Sequence, residues 1–257
     1  MQSIPEKKKE GIHRGALRTW GMLFAATGVV SRSILQRGLL GMGSISGAQL
    51  LETMSADSAA MGIATAALVL QMLEACAVPI FAFLLVEGFK HTSDFRKYFL
   101  RVLGLALLSE IPYNLAFSGK VLELSTRNPV FGIVLGLVAL GFYRKYAGTA
   151  PKEIATKAVV TVAAVLWVSM LNIEYGMPTV LIAAVLWALQ KKPLFANMAG
   201  ATVSILCSLN SLFMMAAPMG FLAVHNYNGE KGESSPLVNY LAYPVLLLGC
   251  FLVGTVL

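Results

Sequence analysis

Four carboxylates lie in or beside long apolar runs: Glu74, Glu87, Glu110 and Glu174. Arg32 is their basic counterpart in the first such run. An ionisable group at membrane depth is costly and usually faces a cavity or a partner. A carboxylate held there can act as a general acid or base. Glu110 belongs to Ser109-Glu110-Ile111-Pro112-Tyr113-Asn114, and Glu174 opens Glu174-Tyr175-Gly176. Asn128 precedes an apolar run, and Asn228 sits in Tyr227-Asn228-Gly229. Together with Arg32 and Arg127 these residues are expected to line one outward-facing polar pocket. The alternative is a structural Glu110–Arg32 ion pair and a plain Asn-Gly turn. Glu74 has no obvious local partner and could pair with Arg32. Glu87 and His91 are four apart and share a helix face. They read either as an acid/base pair facing the cytoplasm or as an interfacial pair ending a helix beside Lys90 and Arg96.

The composition says what kind of scaffold must hold these groups. Of 257 residues, 57% are hydrophobic and 13% are charged, and mean hydropathy is +0.71. A soluble domain carries roughly 25% charge, so an ordinary soluble enzyme, a disordered chain and a nucleic-acid module are excluded. The fold class predicted is all-α: a polytopic helical membrane protein. Residues 1–16 form a basic cytoplasmic lead, and residues 17–257 form one integral membrane domain. Eight spans are expected, at about 17–36, 60–89, 98–117, 129–146, 154–172, 177–190, 195–216 and 237–257, since a hydrocarbon core of ~30 Å takes roughly 20 helical residues. The Gly-rich run Gly38–Leu51 reads as an interfacial or re-entrant piece. Pro79 should kink the second span. Gly132 and Gly136 make a small-xxx-small face for helix packing that also permits a homo-oligomer. Cys76, Cys207 and Cys250 are odd in number, lie in apolar runs and show no metal spacing, so packing is their expected role.

Alternating eight spans from a cytoplasmic N-terminus puts 15 of the 20 basic residues inside and 5 outside. Arg32, Arg37, Lys120, Arg127 and Lys231 are the outer five. That split follows the positive-inside rule and predicts both termini in the cytoplasm.

The stretch from Val78 to Thr92, Val-Pro-Ile-Phe-Ala-Phe-Leu-Leu-Val-Glu-Gly-Phe-Lys-His-Thr, resembles the hallmark of the TraX family. Ser109–Asn114, Asn128, Glu174–Gly176, Tyr227–Gly229 and Tyr243-Pro244 match as well. The resemblance runs through most of the chain and is strongest from about 78 to 142. The family is named for a conjugation protein that acetylates the N-terminus of pilin. It is similar to multi-span acyltransferases that draw on cytoplasmic acyl-CoA. The resemblance therefore implies an acetyltransferase of the bacterial inner membrane, with acetyl-CoA as donor, a pilin or surface-glycan acceptor, no metal and no nucleic acid.

On that reading Glu110 is the base, oriented by Tyr113 and Asn114, with Glu174, His91 and Glu87 as further acid/base candidates. Arg32 holds the carboxylate or stabilises an oxyanion. Asn128, Tyr175, Asn228 and Tyr243 complete the acceptor site. Lys90 and Arg96 meet the CoA phosphates. Two departures stand against it. The family usually has an Asp-His pair where this chain has Gly28-Val29, and a His where it has Leu246. Neither replacement titrates, so the base lies elsewhere, or the chain is a non-catalytic descendant serving as a transporter or membrane-assembly subunit.

Overall fold

A computed structural model describes residues 10–41, 52, 58–232 and 236–257. Within them the chain is helical throughout, with no named strand. Ten α-helices follow in order: α1 (Arg14–Val29), α2 (Ser58–Ala75), α3 (Ala77–Lys90), α4 (Phe95–Ser118), α5 (Val130–Lys145), α6 (Pro151–Met170), α7 (Gly176–Ala188), α8 (Pro193–Cys207), α9 (Gly220–His225) and α10 (Pro236–Val256). Among the described residues, three rods are long and apolar enough to cross a membrane: the bent pair α2–α3, α4 and α6. Lys7, Lys8, Lys9 and most of the expected Gly38–Leu51 piece lie outside the described residues.

Local chemistry sets several of these boundaries. His13 Nδ1 accepts from the Ala16 N–H at 3.1 Å and caps α1. Asp94 Oδ1 accepts from the Lys97 N–H at 3.0 Å and caps α4. Pro151 occupies the first position of α6, where a missing N–H costs nothing. α1 continues without interruption into a π-helical stretch, Val30–Leu39. The wider turn brings residues five apart together, and Gln36 Nε2 donates to Ser31 Oγ at 3.5 Å. As expected, Pro79 bends the second rod. It removes the N–H that would bond Ala75, and α2 gives way to α3 at Cys76. Gly220 then packs directly on the Cys76 backbone, where a side chain would have no room.

The helices alternate in direction between two ends. At one end Ile12 pairs with Tyr227, Arg144 lies over the Phe89 ring at 4.5 Å, and Trp187 packs edge-on to Phe89. At the other end Arg127 pairs with Ile173, and Arg37 donates to the Leu115 carbonyl at the close of α4. Tracing the chain between these ends gives nine traverses among the described residues, against the eight expected. The difference lies at 195–216. α8 stops at Cys207, and the backbone turns as the Asn210 and Ser211 N–H groups both bond the Cys207 carbonyl, at 3.0 and 3.2 Å. The chain returns through two 3₁₀ turns (Leu212–Met215 and Ala217–Met219) and α9. Leu209 and Leu212 keep the turn apolar, so hydropathy reads one span where Ser208, Asn210 and Ser211 make a reversal.

That extra traverse carries the 226–232 loop to the Ile12 end and turns α10 parallel to α1. Tyr240 lies near Arg18, whereas Gly254 packs on the Ser33 backbone and Gly38 on Gly254. Residues 12 and 257 therefore sit at opposite ends of the bundle. Lys231 moves with its loop, and among the described residues the basic split is 13 to 4 (15 − 3 + 1 and 5 − 1). The Gly132/Gly136 face is also spent internally. Gly132 packs on Gly176 and Gly136 on Leu85, so that stripe is not a surface for self-association.

Candidate functional site

Five side chains from four elements form one hydrogen-bonded chain at the end away from Ile12. Arg32, on the π-helical stretch, donates to Glu174 through one nitrogen and to Glu74 Oε1 through the other at 2.6 Å. The Tyr113 hydroxyl donates to Glu174 Oε2 at 2.9 Å, and the Tyr175 hydroxyl donates to Glu74 Oε2 at 3.2 Å. The guanidinium also stacks over the Phe117 ring at 4.0 Å, and Phe117 meets Tyr113 edge-on. Two carboxylates thus share one guanidinium, leaving one formal negative charge in excess. Glu74 is 7% exposed, so a negative charge on it is poorly screened by water.

This chain forms part of the wall of a cavity of about 480 Å³. Arg32, Glu74, Glu174 and Tyr175 line one side, and Gln71, Asn172, Asn210 and Ser211 add neutral polar groups. The α7 N-terminus at Gly176 lines it as well. Asn172 and Tyr175 both adopt left-handed backbone, φ +52° and +51°, and are the two non-glycine residues to do so among the described ones. Backbone strain of this kind persists where the surroundings over-determine it, and it gathers at functional sites. Here the turn that carries Glu174 pays it.

Glu110, expected as the base, lies beside this chain and outside the cavity wall. Its Oε1 accepts from Arg127 at 3.0 Å, and its Oε2 accepts from the Asn128 side chain at 2.6 Å and the Asn128 N–H at 3.3 Å. Asn128 also donates to the Ala106 carbonyl and accepts from the Val130 N–H. Arg127 in turn clamps the strained turn by backbone: its N–H donates to the Asn172 carbonyl, and its carbonyl accepts from the Glu174 N–H at 3.0 Å. Glu110 therefore holds Arg127 and Asn128, and Arg127 in turn holds the Glu174 backbone. Asn114 is buried on α4 and donates to the Val121 carbonyl at 3.4 Å, away from the cavity.

Gly28 is placed tightly against the Glu74 carboxylate, and any side chain there would displace it. Val29 packs with Tyr113, Tyr243 and Leu246 in a small apolar cluster next to Arg32. Tyr243 lies within the field of Glu174 and Arg32. The departures from the resemblance at Gly28-Val29 and Leu246 therefore converge in space, and Glu74 from α2 fills the room at Gly28.

The remaining predicted residues gather at the Ile12 end, not with Glu110 and Arg32. Glu87 is buried and accepts from the Tyr227 hydroxyl at 3.2 Å, with Arg14 at 3.6 Å, Lys90 at 3.8 Å and His91 at 3.5 Å. Arg14 also meets His91 Nδ1 at 3.2 Å. The Asn228 N–H donates to the Ile12 carbonyl at 3.0 Å and its side chain to the Gly11 carbonyl at 3.4 Å. Asn228 thus ties the N-terminal segment to the 226–232 loop and is remote from the cavity. Arg96 is exposed at this same end. Among the described residues no group of three His, Cys, Asp or Glu is placed to hold a metal.

Sequence reasoning placed Arg32, Glu174, Tyr113, Tyr175 and Tyr243 together. It missed Gln71, Asn172, Asn210 and Ser211 as cavity residues. For the last two the available signal was a polar pair inside an apolar run.

A family model described as TraX protein matches residues 51–253. No curated protein and no solved structure matches the chain.

Proposed function

The chain belongs to the TraX family, and from that premise we propose that it is a membrane acyltransferase, moving an acetyl group from acyl-CoA to a pilin-like or cell-surface acceptor. The observation that carries this reading is the Glu74–Arg32–Glu174 arrangement on the cavity wall. Its surplus negative charge suits an acceptor ammonium. One carboxylate, Glu174 or Glu74, takes the ammonium proton. The freed nitrogen attacks the thioester carbonyl carbon, the C–S bond breaks, and the second proton that the nitrogen sheds ends on the departing CoA thiolate. Arg32 faces the oxygen that becomes negative in between. Glu110 is a positioning residue, acting through Arg127 and Asn128.

The charge distribution supports an orientation. With 13 described basic residues at the Ile12 end and 4 at the other, the Ile12 end is cytoplasmic, the chain crosses the inner membrane nine times, and residue 257 lies outside. Lys90 and Arg96 then face cytoplasmic CoA phosphates. Glu74 and Glu87 are 13 positions apart (87 − 74) on the bent α2–α3 rod, so the acyl group must reach roughly 20 Å into the bundle.

A second reading is favoured by Gly28, Val29 and Leu246, which leave that corner of the site without a titrating imidazole. It is a non-catalytic relative, a transporter or assembly subunit, that binds a cation at the same carboxylates. Acetyl-CoA binding by calorimetry separates the two. Binding in the micromolar range, with CoA release on adding an amine acceptor and loss of release in Glu174→Gln, supports the enzyme. No binding at millimolar donor removes it.

A further inference from the structure

The turns at the two ends of α8 differ in kind. At the Ile12 end α7 and α8 are joined through Gln190, Lys191 and Lys192, and both lysines are exposed. Charged lysines pin that turn at the headgroups. The helices themselves are short, 13 residues in α7 and 15 in α8, or roughly 20–22 Å against the ~30 Å of a hydrocarbon core. With one end pinned, the whole shortfall falls at the other end, where the Ser208–Ser211 turn forms part of the cavity wall.

The surface at that mouth agrees. Leu209 is 90% exposed and Leu212 75%, beside the polar rim residue Asn210. Beside the lining residues Ser169 and Asn172, Met170 is 79% exposed and Trp167 57%. The wall of the polar cavity is therefore lower on the α8 side, at Leu209 and Leu212, than on the α6 side, where a 20-residue helix ends at Met170.

We propose that the cavity is entered sideways from the bilayer, and that its ligand is a membrane-embedded amphiphile: a cationic head at Glu74 and Glu174, and an apolar chain lying along Leu209, Leu212 and Met170. The inference rests on the cavity being the acceptor site but is tested by binding alone. An absence of acyl transfer would remove the enzyme reading and leave this one standing.

The test uses the full chain in nanodiscs and a hexadecylammonium probe with a photoactivatable diazirine in its chain, with adducts mapped by mass spectrometry. Adducts should concentrate on 166–172 and 206–215 over the outer face of α6 at 154–162. Unlabelled hexadecylammonium should displace them, and hexadecyl sulfate should not. Leu209→Ser with Leu212→Ser should lower labelling by about tenfold, while the Glu74→Gln, Glu174→Gln double variant should abolish the preference for the cation. Even labelling of all lipid-facing helices overturns the proposal. So does equal displacement by the sulfate, or cavity labelling by a water-soluble propylammonium probe as strong as by the long chain. The displacement experiment needs no variant, so a misfolded mutant cannot obscure the result.

Discussion

Both ends of the bundle hold buried carboxylates against arginine, yet their charge balance is opposite. At the cavity two carboxylates share Arg32. At the Ile12 end one carboxylate, Glu87, is met by Arg14, Lys90 and His91. Glu87 is over-provided and ties the end of α3 to the N-terminal segment and the 226–232 loop. The cavity cluster is under-provided, and its polar groups come from chain segments distant in sequence. A site built only for stability would end in balance, because a buried unpaired charge costs several kcal/mol. On the function proposed above, the imbalance makes the cavity the ligand-binding end and the Glu87 cluster the end that fastens the chain.

The strongest way to break that comparison is to remove Arg32. Arg32→Gln leaves Glu74 and Glu174 facing each other without a cation, and the loss should be about 3–5 kcal/mol. The readout is the thermal unfolding midpoint in detergent. Added long-chain ammonium should recover part of it by supplying the missing charge. Glu87→Gln, by contrast, keeps an acceptor for Tyr227 and should cost only about 0.5–1.5 kcal/mol. Equal costs at the two ends would end the distinction between them.

A second experiment tests the packing that sets Glu74. Gly28→Ala puts a methyl group where the Glu74 carboxylate lies. It should destabilise by about 1–3 kcal/mol through overpacking. Glu74→Ala loses its own ion pair but frees that space. The double variant should therefore be less damaged than the sum, with a coupling of about 0.5–3 kcal/mol in unfolding measurements. Simple additivity would mean that Glu74 is not held by Gly28.

How much of this was legible beforehand follows from the same residues. The carboxylates and Arg32 could be read because charge in an apolar run is rare, and the Glu74–Arg32 pairing could be anticipated as one option. The helical class followed from composition. The reversal at Ser208–Ser211 was not legible, because turn chemistry there is carried by three small polar residues while the apolar signal runs on through Leu209 and Leu212. That one turn then misplaced everything after it, including Asn228, Lys231 and the direction of α10. The partners of Glu110 were hidden for another reason. Its sequence neighbourhood shows a carboxylate beside Tyr113 and Asn114, but Arg127 and Asn128 reach it from beyond the next loop.

The gentlest test sharpens the role of Glu110. Glu110→Gln keeps the side-chain length and can still accept from Asn128, but loses the charge that holds Arg127. If Glu110 took the acceptor proton, this variant would abolish CoA release outright. As a positioning residue it should lower the rate by about tenfold or less. It should also loosen the Asn172–Tyr175 turn, raising hydrogen exchange at the Glu174 N–H, which donates to the Arg127 carbonyl. Arg127→Lys should reproduce both changes more weakly, since the backbone bridge survives while the Glu110 contact slackens. An exchange rate at Glu174 that does not move in either variant would disconnect Glu110 from the cavity and leave it as a local fastening, like Glu87 at the other end.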